Sequence, residues 1–153
     1  MSDDIRELYL RHREGQDKYV YFQLAAAAAA LGFAVQKTEA MSLAWPMLPL
    51  GIAALCWAVS FFCGCKTIAA VQTALRSNVA ILQLKNGSHP DQPDEPELVA
   101  GAIKGVTSAL TSKAESAYRY GTAQFQFLVA GGVLFLAWHV LAMYCRTFGC
   151  DTC

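Results

Sequence analysis

With 12 basic and 12 acidic side chains in 153 residues, the chain carries no net charge, which excludes the basic footprint of a nucleic-acid binder. It is 55% hydrophobic and only 16% charged, with a mean hydropathy of +0.31, an apolar balance foreign to most soluble domains. Its length suits one domain, residues 1–153, and the apolar residues within it are concentrated in runs.

Residues 2–18 read as an N-terminal helix facing the cytoplasm. Ser2 suits its N-cap, and Asp3 and Asp4 fall in the first turn, where the helix dipole favours acids. Ile5, Leu8, His12, Gly15 and Tyr19 recur at three- and four-residue steps, a seam for another helix. The mixed charge of this stretch is unlike the short positive leader of a secretory signal, so an uncleaved segment is expected. The run from Arg13 to Tyr19, followed by the alanines 25–30, resembles the start of small uncharacterised bacterial multi-span membrane proteins. That resemblance covers about the first thirty residues and implies no activity.

Residues 19–36, 42–65 and 121–145 hold no Asp, Glu, Lys or Arg. A hydrocarbon core about 30 Å thick takes roughly 20 apolar residues of helix to cross, so three spans are expected. The first is rich in alanine, which contributes little transfer energy, and it should cross packed among other helices. The N-terminal side and residues 66–120 hold Arg6, Arg11, Arg13, Lys18, Lys66, Arg76, Lys85, Lys104, Lys113 and Arg119; the opposite side holds Lys37 and Arg146. The positive-inside rule then gives a bacterial inner-membrane protein with its N-terminus in the cytoplasm and its C-terminus outside. Aromatic residues mark the same two interfaces: Tyr19, Tyr21, Phe61, Phe62, Tyr118 and Tyr120 at one, Trp45 and Tyr144 at the other.

Thr38 to Ser42 reads as a tight external turn, and Trp45-Pro46 as a helix start, with Pro49 still in the first turn. Past Cys65 the helix continues through Ile68, Val71, Leu75, Val79 and Leu82 and stops at Asn86-Gly87. Residues 87–96, with three prolines and three acids, form the linker. Val99, Ile103, Val106, Leu110, Ala114 and Ala117 then repeat at similar steps. The two seams predict an antiparallel cytoplasmic hairpin over 66–120, about 30 Å tall, assembled through Leu75, Val79, Ile103 and Leu110. No proline interrupts residues 97–145, so one helix about 70 Å long should pass from water into lipid. The fold class is thus an all-α membrane protein of three long helices, each continuous through membrane and cytoplasm.

Candidate chemistry is sparse. Cys145, Cys150 and Cys153 fall on the external side, where a disulfide is permitted and an odd thiol can cross-link subunits. Cys63-Gly64-Cys65 lacks a second ligand pair, so no metal and no cofactor are expected. His139 is the one imidazole within a span. On a helical wheel it shares a stripe with Gln124, Leu128, Gly131, Phe135 and Ala142, a candidate lining for an aqueous path through Gln124, Gly131, Phe135 and His139. The other reading of the same polar groups is interhelical packing. Ala28-x-x-x-Gly32 and Gly131-Gly132 allow close helix approach and favour a homo-oligomer.

The chain has no phosphate loop, no H-E-x-x-H and no G-x-S-x-G, and it is not expected to be an enzyme. The expected partners are membrane lipid, further copies of the chain and a cytoplasmic protein, with no nucleic acid. The expected function is a self-associating membrane protein that forms a pore or membrane-disrupting assembly, gated through its hairpin. The alternative is a non-transporting scaffold or regulatory subunit that docks a cytoplasmic partner.

Overall fold

A computed structural model describes residues 2–38, 47–91 and 93–148. Among them are three α-helices and no strand: α1 (Ser2–Thr38), α2 (Leu48–Lys85) and α3 (Pro96–Phe148). At 1.5 Å per residue, the 53 residues of α3 extend about 80 Å. The expected turn at 39–42 and the helix start at Trp45-Pro46 lie outside the described residues. Each helix contains a stretch long and apolar enough to cross a membrane. Little of those stretches is covered by the rest of the chain: Phe22, Leu55, Val133, Leu136 and Val140 all stand exposed. Such a surface suits a multi-pass membrane protein.

The helix ends follow from local chemistry. At the end of α2, Gly87 takes a φ of 68°, the left-handed region where a side chain costs roughly 1–2 kcal/mol. With Gly87 so placed, the Ser88 N–H donates to the Gln83 carbonyl (2.9 Å) and the Gly87 N–H to that of Leu84 (3.4 Å). These are the paired bonds of a Schellman cap. Pro96 opens α3 at the position where a missing N–H loses nothing, and Val99 N–H donates back to the Glu95 carbonyl at 3.2 Å. Glu97 follows in the first turn, where the dipole favours it.

The chain divides into two compact units, Met1–Gly64 with Thr122–Cys153, and Cys65–Gly121. In the first unit α1, the start of α2 and the end of α3 pack as alternating neighbours. Leu24 of α1 and Gln124 of α3 meet Gly64 of α2 at one level. Further along, Ala34, Leu50, Ala53, Trp57 and Trp138 form the buried core, with Leu31, Leu128 and Phe135 packed around it. The buried positions of α2 in this unit are Leu50, Ala53, Trp57, Ser60, Cys63 and Gly64, and Leu50, Ala53, Trp57, Ser60 and Gly64 among them follow steps of 3, 4, 3 and 4. That spacing is the 3.5-residue period of left-handed helix packing. Salt bridges contribute only locally. Lys18 lies 2.8 Å from Glu14, and its ammonium holds the Glu14 carboxyl below the ordinary carboxylate range. That support for α1 is present above the ordinary Glu value and is lost as pH falls through the lowered one.

In the second unit the buried α2 residues are Thr67, Ala70 and Leu84. Leu75 and Val79 stand exposed instead, whereas Ile103 and Leu110 on α3 are half-buried. The α2 seam expected through Leu75 and Val79 therefore lies on a different face from the one α2 buries.

A Gly131→Val substitution is expected to destabilise the chain by about 1–3 kcal/mol through overpacking against the Trp57 ring, while Gly132→Ala should be close to neutral. Unfolding in detergent followed by tryptophan fluorescence measures both.

Candidate functional site

The first unit is organised in two layers along its length, one polar and one aromatic. The polar layer has one residue from each helix: Gln23 on α1, Ser60 on α2 and Gln124 on α3, all buried. The Ser60 hydroxyl donates to the Gln124 main-chain carbonyl at 2.8 Å. Gln124 itself is fully enclosed, and among the described residues neither Oε1 nor Nε2 of its side chain has a hydrogen-bond partner. The same holds for Nε2 of Gln23. Leaving such a group unmatched costs about 1–3 kcal/mol. Room for the Gln124 amide comes from Gly64. A methyl there would lie 2.6 Å from Gln124 Nε2 and 2.7 Å from Leu24 Cδ2.

The aromatic layer begins at Gly131. A methyl there would lie 2.5 Å from the Trp57 indole nitrogen, so this glycine is where the indole rests directly on the α3 backbone. Phe135, one turn on, is the hub of the layer. Its ring centroid is 5.8 Å from those of Phe33 and Trp57 and 5.7 Å from that of Trp138, all within the range of favourable aromatic pairing. His139 stacks on the outer side of Phe135 at 6.4 Å and 15° and is itself exposed. Beyond it a cleft of about 320 Å³ opens between the ends of α1 and α3, lined by Phe33, Lys37, Phe135, Trp138, His139 and Met143. The Lys37 ammonium stands 5.7 Å from the Phe33 ring centre.

Of the four residues expected to line a path, three are in the helix interface. Gln124 and Gly131 are buried against α2, and Phe135 is wedged among Phe33, Trp57 and Trp138. His139 sits at the rim. The inward positions of α3 are Gln124, Leu128, Gly131, Phe135 and Trp138, at steps of 4, 3, 4 and 3. Trp138 and His139 flank the stripe on either side of a 3.6-residue wheel, and the packed 3.5-residue period brings Trp138 into register and leaves His139 out of it. Gln23, Trp57, Ser60 and Gly64 were not singled out from the sequence. Their signal was the 3–4–3 spacing of Trp57, Ser60, Gly64 and Thr67, which mixes aromatic, small and polar residues within an apolar run.

Cys145 is disulfide-bonded, and Cys150 and Cys153 lie outside the described residues. Cys56, Cys63 and Cys65 are not disulfide-bonded. Among the described residues no group of three His, Cys, Asp or Glu side chains is placed to hold a metal ion.

Compared with protein families, curated proteins and solved structures, the chain has no match.

Replacing Gln124 by Leu, close to it in volume, removes two unmatched polar atoms and should stabilise the fold by up to about 1–3 kcal/mol. Ser60→Ala should cost about 1 kcal/mol. Detergent-denaturant titration followed by circular dichroism reads both, and a Gln124→Leu chain weaker than wild type would mean that the amide is matched after all.

Proposed function

We propose that this chain is a multi-pass inner-membrane protein of bacterial type that acts as a non-enzymatic scaffold. Its N-terminus is cytoplasmic and its C-terminus external, as the ten-to-two distribution of the basic residues named above favours. Residues 66–120 form a cytoplasmic helical hairpin that docks another protein chain, a further copy of itself or a cytoplasmic partner. The observation that carries this reading is an apolar ridge in that segment. Leu75, Val79 and Leu82 are 37%, 54% and 59% exposed, at helical steps of 4 and 3, amid a stretch bearing Lys66, Arg76 and Lys85. A ridge of that kind in water is a helix-docking surface. The filled interface favours a scaffold over a conduit, because Trp57 occupies the space over Gly131 that a path along α3 would need.

A second reading, a pore formed by self-association through Gln124, Gly131, Phe135 and His139, draws support from the unmatched amides of Gln23 and Gln124. Water entering a rearranged interface would satisfy them.

The two readings differ in solution. In a chain with all six native cysteines (Cys56, Cys63, Cys65, Cys145, Cys150 and Cys153) replaced by serine, Val79→Cys is expected to cross-link to a second chain or partner with a bifunctional maleimide in intact membranes. Ile103→Cys, half-buried, should cross-link much less. Reconstituted vesicles should hold an ion gradient. Monomers at every Val79→Cys loading would remove the docking role, and a collapsed gradient would favour the pore.

A further inference from the structure

We propose that the cleft between the last turn of α1 and the final turns of α3 binds the phosphate headgroup of an anionic lipid, with Lys37 and His139 as its ligands. This rests on the membrane reading above.

The argument begins with charge. Between Lys18 and Lys66 the only basic residue in the sequence is Lys37, and it stands at the end of a helix stretch long and apolar enough to cross a membrane. Among the described residues it has no ion-pair partner; the pairs present are Glu14–Lys18 and Glu115–Arg119. Its ammonium is held instead 5.7 Å from the centre of the Phe33 ring. A cation so placed repels cationic ligands and favours an anion.

The second ligand is His139. Its ring stacks on Phe135 through the face at 15°, which leaves both nitrogens at the ring edge, and the residue is exposed and lines the cleft. Imidazole and ammonium flank one cleft of about 320 Å³, at the small end of the range for ligand pockets. That volume suits a headgroup and not a whole lipid. The walls are otherwise apolar, with Trp138 buried at the inner side and Phe33 and Met143 exposed at the edges. Beyond them, Leu136 and Val140 continue an exposed apolar surface along α3. A soluble anion would gain nothing from that surface, whereas an acyl chain would lie on it. Lys37 lies on the side opposite the main basic cluster, so a headgroup held here belongs to the external leaflet.

The test uses the full chain in phosphatidylcholine vesicles that carry brominated-chain phosphatidylglycerol, or the same amount of brominated-chain phosphatidylcholine. Bromine quenches nearby indoles, and Trp138 lines the cleft. Quenching should be stronger with the anionic lipid. A Lys37→Gln/His139→Gln chain should need roughly tenfold more of it for the same quenching, as expected for losing charge-assisted hydrogen bonds. Lys113→Gln, in the second unit, should change nothing. Equal quenching of the wild-type chain by both lipids overturns the proposal, as does an anionic excess that survives in the double variant. Loss of the excess on adding inorganic phosphate would make the free anion the ligand and overturn the lipid assignment. Absence of quenching by either lipid would instead overturn the membrane reading itself.

Discussion

The indole of Trp57 resting on the bare backbone of Gly131 is the contact on which the first unit depends. It lets α2 and α3 approach closely enough for Phe135 to reach Phe33, Trp57 and Trp138 together. It also brings Ser60 within 2.8 Å of the Gln124 carbonyl, two turns away along α3. Close backbone approach has particular force for helices whose outer faces are as apolar as lipid. There the hydrophobic effect gives no reason to associate, and shape and interhelical hydrogen bonds must supply one.

The polar layer works both against this stability and for it. The unmatched amide atoms of Gln124 and Gln23 cost free energy, while the Ser60 hydroxyl ties α2 to the main chain of α3 at the same layer. Gly64 is matched to that layer as Gly131 is to the aromatic one. Each glycine lies under a large side chain from, or belonging to, the neighbouring helix. The two layers together close the interior between Leu24 and Trp138. Under the proposed function this closure is what makes the first unit an anchor, and the exposed ridge at Leu75, Val79 and Leu82 is where work is done.

The three helices were legible in the sequence because their signals are local and strong. Asn86-Gly87 stops α2, the proline-rich linker 87–96 marks the break before α3, whose first residue is the linker's own Pro96, and uncharged runs mark the stretches long enough to span a membrane. The unit boundaries at Gly64 and Gly121 fall where those runs meet charged sequence, near Lys66 and Arg119. The packed faces were legible only in part. In a charged segment, hydrophobic periodicity marks the inner face, as at Ile103 and Leu110, but it selected Leu75 and Val79 where α2 buries Thr67, Ala70 and Leu84. In an uncharged run every face is apolar, and the inner one is marked by small, polar and aromatic residues in heptad spacing. Gln124, Gly131 and Phe135 carry that mark and stand out in the sequence as candidates for a path, whereas Trp57, Ser60 and Gly64 carry it equally and read as ordinary span. Trp138 and His139 flank the stripe on a 3.6-residue wheel, and only the 3.5-residue period of the packed helices tells them apart.

The measurement that bears most directly on the closed interface is hydrogen–deuterium exchange at the Trp57 indole N–H, followed by NMR with the chain in lipid nanodiscs. With that nitrogen pressed against Gly131, exchange should be strongly protected, far slower than for an indole in water. Exchange at the rate of a free indole would mean that water runs along α3, and would contradict the closed seam on which the account stands.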